Sequence, residues 1–433
     1  MRIYKKRGFL PAAIFLLLFA LLLPTQKSYT ATTIEISKLL EDISGTRKLK
    51  SSSPVKSSSK NKAQIKDYIL KRFAEEYTAS ELERERVTLV KLGLLEDKFP
   101  YRDFITALLV SQVAGYYDPG DKKIYLADWI PMEYQAPTIS HELVHYLQDE
   151  NFNLKKFIKR NRYNDDETGA INALIEGDAT LAMADMASQG GNASARIDSS
   201  SLEKGLESQM NAVEMNDGKK IYTPDFLKRQ MVFPYVNGLK FVNHLKNRGD
   251  WQRVDKAYSE PPLSTEQIIH PEKYPSDVPK IIDIDISKLP LSDFKAVRTN
   301  VLGEFFISLF LKNYLGAERA KIASEGWGGD SYILFADNSG KDQAIMIYSV
   351  WDSKKDADEF FEGYTSWFFG KNRLSVDLGK SDSYFFENRD SRDKYTLWKK
   401  KDKAVLIADG FGSNSLGLID KIKFEAYIKI DKK

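Results

Sequence analysis

The stretch TISHELVHYLQDE, Thr138 to Glu150, carries two of the chain's four histidines, and they stand four residues apart. Residues at i and i+4 lie one above the other on a helix face. On a helix, His141 and His145 therefore aim both imidazoles at one point. Glu142, directly after the first histidine, leans over the same edge and can reach a water held there. Two ligands do not fill a metal's coordination shell. The fold must therefore bring a second element against the histidine face and bury the rest of the helix. Ile139, Leu143, Val144 and Leu147 form a buried stripe, and Thr138, after Pro137, is expected to cap the start of the helix. The pattern H-E-x-x-H joins two metal ligands to a general base.

The third ligand has to come from elsewhere. The chain contains no cysteine, which excludes disulfides, thiolate metal sites and a cysteine nucleophile, and leaves His, Asp and Glu as ligands. Glu176, in LIEGDAT, is the best candidate. Its neighbours Ala173, Leu174, Ile175, Gly177 and Ala179 are small and apolar, and a carboxylate among them has reason to be paired or metal-bound. A solvated helix carboxylate is the competing reading. Asp149 and Asp178 are candidates to orient a ligand imidazole. Tyr235 and His270 are candidates for stabilising developing charge on a substrate, although a structural histidine in a Pro-rich loop is an equal reading for His270. His244 reads as ordinary helix surface.

Composition narrows the class. With 433 residues, 42% apolar and 29% charged, the chain is globular and has room for several domains. Arg2, Lys5, Lys6 and Arg7 precede an apolar run from Phe9 to Leu23, followed by small and polar residues up to Ala31. Such a layout is a secretory signal. The run is shorter than the roughly 20 residues of a spanning helix, so removal of residues 1–30 is expected, with no stable membrane span left. The protein is then exported, to a periplasm or the cell exterior. The net charge of +3 loses the five basic groups of residues 1–30 and becomes −2. Nothing in that balance suggests a nucleic-acid partner.

Along the chain, the expected class is α+β. Residues 31–62 read as an N-terminal segment and linker, with a short amphipathic helix over Ile34–Ile43 and a polar, Ser/Lys-rich stretch over 45–61. Residues 63–294 read as a mostly helical domain, and 295–433 as an α+β unit with an antiparallel sheet. Within the first domain, GYYDPGDKKIYLAD, Gly115 to Asp128, alternates around turn residues and signals a β-hairpin. DDETGAINALIEGDATLAMADM, Asp165 to Met186, is a helix whose small residues allow close approach of another helix. Further helices are expected over 202–215, 223–233 and 236–247, and 256–292 is expected to be mostly extended. In the last unit, SYILFADN, QAIMIYSVWD, DSYFFEN, KYTLWKKK and KAVLIADG alternate like antiparallel strands, and SKKDADEFFEGYTSWFF is helical.

HELVH followed by EGDA resembles the gluzincin group of zinc metallopeptidases. More narrowly, QVAGYYDPGDKKIYLAD, HELVHYLQDENFNL, LIEGDAT, PPLSTEQIIHPEKY and GWGGDSYILF resemble a family of exported bacterial predicted metallopeptidases. The likeness implies a zincin-like domain, zinc held by His141, His145 and Glu176, Glu142 as base and acid, and a peptide or protein substrate. It also implies an edge strand before the histidine helix, placing a substrate peptide against Lys122–Asp128 by strand addition. Thirty residues separate His145 from Glu176, more than in the best-known gluzincins, and ENFNLKKFIKRNRYN is expected to form the extra loop. The alternative from another class is a non-catalytic exported binding protein whose metal site is structural.

Overall fold

The computed structural model describes residues 36–158, 164–188, 198–289, 291–340, 342–374, 381–387, 394–412, 415 and 428–431. The export signal read over 1–30 lies outside them. Helix α1 (Ile36–Arg47) and strand β1 (Lys56–Lys60) open the described chain. Helices α2 (Lys62–Glu76), α3 (Ala79–Lys91) and α4 (Tyr101–Ser111) follow. Capping boxes fix two of their starts: Asn61 with Gln64, and Thr78 with Glu81.

Strands β2 (Gly115–Asp118) and β3 (Lys123–Ala127) form the expected hairpin, with Tyr116 opposite Tyr125 and Tyr117 opposite Ile124. The Asp118 carboxylate closes the turn by accepting from the Gly120 amide at 2.7 Å. The stretch read as a linker departs from expectation. Lys56–Lys60 runs parallel to β3, so β3 is the middle of a three-stranded sheet and β2 is an edge. The ladder uses main-chain groups, which a Ser/Lys run carries like any other sequence, and Lys60 gains a cation–π contact 4.2 Å from the Tyr125 ring. Strand addition to Lys122–Asp128 is therefore ruled out, because both edges of β3 are taken.

The histidine helix, α5 (Met132–Phe152), starts about two turns earlier than expected and carries Pro137 inside it, so Thr138 is a buried helix residue rather than a cap. Ile139, Leu143, Val144 and Leu147 are fully buried as expected. The loop expected over ENFNLKKFIKRNRYN is partly helical: α5 ends at Phe152 and α6 (Leu154–Ile158) follows. Helix α7 (Asp165–Ala187) is capped by Asn164, whose side chain accepts from the Glu167 amide, and three acidic residues in its first turn suit the helix dipole.

Helix α8 (Ser199–Gln209) stops short of 215, because Ala212–Glu214 (β4) pairs with Lys220–Tyr222 (β5). The two helices expected over 223–247 are one element, α9 (Asp225–Ser259), which passes through Pro234 and breaks only at Gly249 and Asp250. The Pro-rich region is only partly extended: α9 runs into it, and it contains α10 (Thr265–Ile269) before β6 (Ile281–Ile284).

Small residues have the expected use. A methyl group on Gly177 of α7 would lie 2.1 Å from the Gly238 carbonyl carbon of α9, and one on Gly238 would lie 2.0 Å from the Ala173 oxygen. The two backbones touch, which no side chain would permit.

The remaining elements are β7 (Phe294–Asn300), α11 (Gly303–Leu315), α12 (Ala317–Ser324), β8 (Trp327–Asp337), β9 (Gln343–Trp351), α13 (Lys354–Asn372), β10 (Ser383–Glu387), β11 (Tyr395–Lys401), β12 (Ala404–Phe411) and β13 (Ile428–Asp431). Six of them make an antiparallel sheet in the order β10-β11-β12-β9-β8-β7, as the alternating patterns require. Tyr332, Leu334, Ile345 and Ile347 face the core shared with the helices, while Ile333, Phe335, Met346 and Tyr348 face a second cluster built with Ile282 and Ile284 of β6. The larger core runs without interruption from Leu40 to Ile407, across residue 295. Arg298 of β7 is buried across the same boundary, with Asp165 at 3.4 Å and Glu85 at 4.0 Å. The protein is thus α+β, mostly helical before residue 294 and sheet-based after it.

Candidate metal centre

Helices α5 and α7 cross so that their polar positions meet. The His141 Nε2 atom lies 3.1 Å from Glu176 Oε2, and the His145 Nε2 atom lies 3.5 Å from the same oxygen. The two imidazoles stand edge to face with centroids 4.7 Å apart. One ligand atom from each of the three residues falls within 4.8 Å of the others. A tetrahedral zinc with bonds of about 2.1 Å has ligand–ligand edges of roughly 3.4 Å, and the two spacings to Glu176 Oε2 lie near that length. All three residues and Glu142 are buried: the histidines and Glu142 are 1% exposed and Glu176 5%.

Glu142 belongs to the site without joining the ligand cluster. Its Oε2 accepts the Tyr117 amide of β2 at 2.5 Å, and its Oε1 has no hydrogen-bond partner among the described residues. The Ala127 amide bonds the Ala114 carbonyl at 3.1 Å. That pairing turns Tyr116 and Asp118 toward β3, and turns Gly115 and Tyr117 outward to the helix. A methyl on Gly115 would meet Thr138 Cγ2 at 3.1 Å, so glycine lets β2 lie against α5.

Charge and burial set the protonation states. Burial, with Glu176 nearby and only partly opposed by His145 and the Tyr117 amide, pushes the Glu142 carboxyl up to about 7. Burial also pushes Glu176 upward, but the two histidines outweigh it and hold the carboxyl at about 2. His145 responds inversely: burial lowers it, and Glu176 and Glu142 more than compensate, raising it to about 9. Burial lowers His141. In the protein without metal, His145 and Glu176 thus form an ion pair, and a cation entering between them displaces a proton. The donor set of two imidazole nitrogens and one ionised carboxylate suits zinc.

Among the supporting candidates, Asp178 is close to the centre but acts one step removed. Gln148 lies between, accepting from His145 Nδ1 at 2.8 Å and donating to Asp178 at 3.0 Å. Asp149 does not orient a ligand; it accepts from the Tyr117 hydroxyl at 3.0 Å. Tyr235 on α9 sits beside the centre, its ring 6.2 Å from that of His141. His270 instead pairs with Glu304 of α11 at 3.0 Å, so its structural reading holds. His244 is partly buried on α9 and contacts Arg248, consistent with a helix-surface role. Sequence reading missed Gln148, although its i+3 spacing from His145 places it on the same face. It also missed Tyr117, whose contribution is a backbone amide that no side-chain pattern reveals.

A family model described as a domain of unknown function (DUF8575) matches residues 291–420, the sheet-based part of the chain. None of the metal-centre residues falls in that span. No curated protein and no solved structure matches the chain.

Proposed function

We propose that the protein is an exported zinc-dependent peptidase of the gluzincin type, with His141, His145 and Glu176 as ligands and Glu142 as general base. The observation that carries this reading is the convergence of three ligand atoms beside a carboxylate whose second oxygen has no hydrogen-bond partner among the described residues. A zinc ion held there supplies Lewis acidity, acidifying water and polarising a carbonyl. The chain's own residues do the rest. Glu142 takes a proton from the attacking water on Oε1 and passes it to the leaving amine nitrogen. The Tyr117 amide holds Oε2 and so fixes the carboxylate's rotation. Tyr235, whose ring lies beside that of His141, is the candidate to donate toward the oxygen that gains charge. Burial on every side keeps bulk water from competing with these contacts. Strand β2, not β3, stands next to the reacting carboxylate.

Burial of the whole centre also favours the second reading, a structural metal site in an exported binding protein. Structural zinc sites take four protein ligands, whereas three ligating groups converge among the described residues. This difference supports catalysis.

The deciding experiment compares wild type with Glu142→Gln for zinc content and for hydrolysis of casein with and without a chelator. Hydrolysis that needs the metal and disappears in the variant, with zinc retained, is the expected result. A zinc-loaded wild type that cleaves nothing hands the case to the structural reading.

A further inference from the structure

Gln148 has one orientation that satisfies its surroundings. Its Nε2 lies 3.0 Å from the Ile175 carbonyl and 3.0 Å from Asp178 Oδ2, both obligate acceptors. The NH2 group must therefore face them, which leaves Oε1 toward His145 Nδ1 at 2.8 Å. An amide oxygen there accepts only from a protonated Nδ1, so the proton that an entering cation displaces is the one on Nε2, and the freed lone pair is on the atom facing Glu176. Turning the amide over would set its oxygen against two acceptors and leave its NH2 facing the ring N–H.

Asp178 is held in turn. Arg47 donates from Nε at 2.5 Å and from an Nη at 3.1 Å, and the Tyr258 hydroxyl donates at 2.8 Å. Arg47 is the last residue of α1 and is 0% exposed. It also contacts Asp255 at 2.7 Å, and its guanidinium lies 4.5 Å over the Trp251 ring. Helix α1 packs on both α5 and α7. A residue almost a hundred positions before the histidines thus ends a buried chain of contacts that starts at a ligand ring.

We propose that Gln148 is the positioning residue of His145, and that α1 is part of the metal centre because Arg47 locks Asp178 and, through it, the Gln148 amide. This inference rests on the metal-centre reading above. Outer-sphere partners of ligand histidines typically contribute 10–100-fold to metal affinity.

The test measures zinc affinity of the purified protein by competition with a chromophoric chelator, for wild type, Gln148→Leu, Arg47→Met and the control Thr180→Val. Thr180 is a buried polar residue of α7 that serves no part of this chain of contacts. We expect Gln148→Leu to weaken zinc binding 10–100-fold, Arg47→Met to weaken it severalfold, and Thr180→Val to leave it unchanged. A Gln148→Leu protein that melts earlier but binds zinc like wild type overturns the proposal while leaving the centre intact. An Arg47→Met protein with wild-type affinity overturns the part assigned to α1. Nitrogen-15 spectra of histidine-labelled, zinc-loaded wild type give a readout that needs no variant to fold. Metal on His145 Nε2 with the proton on Nδ1 is expected, and metal on Nδ1 contradicts the proposal. A wild type that binds no zinc removes the centre itself, and this inference with it.

Discussion

The helical region and the sheet region bury different things. Around the crossing of α5 and α7 the interior holds His141, Glu142, His145, Gln148, Glu176, Asp178 and Arg47. Around α13 and the sheet it holds Tyr364, Trp367, Phe368 and Trp398, with Trp398 4.5 Å from Phe368 and 5.6 Å from Phe386. Apolar burial needs no further justification, since about 25 cal/mol per Å² removed from water favours it. Burial of ionised groups is costly unless each is paired, and in the helical region Arg47 answers Asp178 and His145 answers Glu176 across three helices. The sheet region buries charges too, Arg298 of β7 and Asp330 of β8, but the helical region gathers its own at one helix crossing, which is what the proposed metal centre requires.

Trp398→Ala should have the largest effect on stability, about 3–5 kcal/mol by denaturant unfolding. Zinc affinity of the remaining folded protein should not change. A loss of zinc affinity in that variant would join the two regions functionally and dissolve the contrast.

Gly238→Ala should cost about 1–3 kcal/mol, because its methyl meets the Ala173 oxygen at 2.0 Å. Here zinc affinity should fall together with stability, since pushing α9 from α7 moves the helix that carries Glu176. Equal stability and affinity to wild type would mean that the helix crossing is not what sets the site.

Acid should act on the helical region through protons competing with metal. His145 is raised to about 9 in the metal-free protein, so below that pH the ring is protonated and zinc must displace the proton. Apparent zinc affinity should fall about tenfold for each pH unit below 9, equivalent to about 1.4 kcal/mol per unit. Calorimetry at pH 7.5 in buffers of different ionisation enthalpy should show about one proton released per zinc bound. No release would mean that the ion pair of His145 and Glu176 does not exist in solution. Hydrolysis should lose its acid limb at or below pH 7, where Glu142 takes up a proton. A bound cation lowers that limit further.

Much of both regions can be read from the sequence, for different reasons. The strands of the last unit announce themselves because Tyr332, Ile333, Leu334 and Phe335 serve two cores alternately, and each residue type carries its own burial requirement. His141, Glu142, His145 and Glu176 are legible because histidine is rare in this chain and because helical spacing fixes which residues share a face. What escapes is set by tertiary context. Lys56–Lys60 has the composition of a linker and becomes a strand because β3 offers an edge. Pro234 marks a helix boundary by local rules, yet α9 continues through it on the strength of its packing against α7. Arg47 has no local signature at all: its partner Asp178 is 131 residues away, and only the fold brings them together.

The most direct measurement is the metal content of wild type and Glu176→Ala, purified identically and analysed by mass spectrometry of the element. One zinc per chain in wild type and a substoichiometric amount in the variant is expected. Wild type without metal, or a Glu176→Ala protein that keeps a full equivalent, contradicts a centre built from His141, His145 and Glu176.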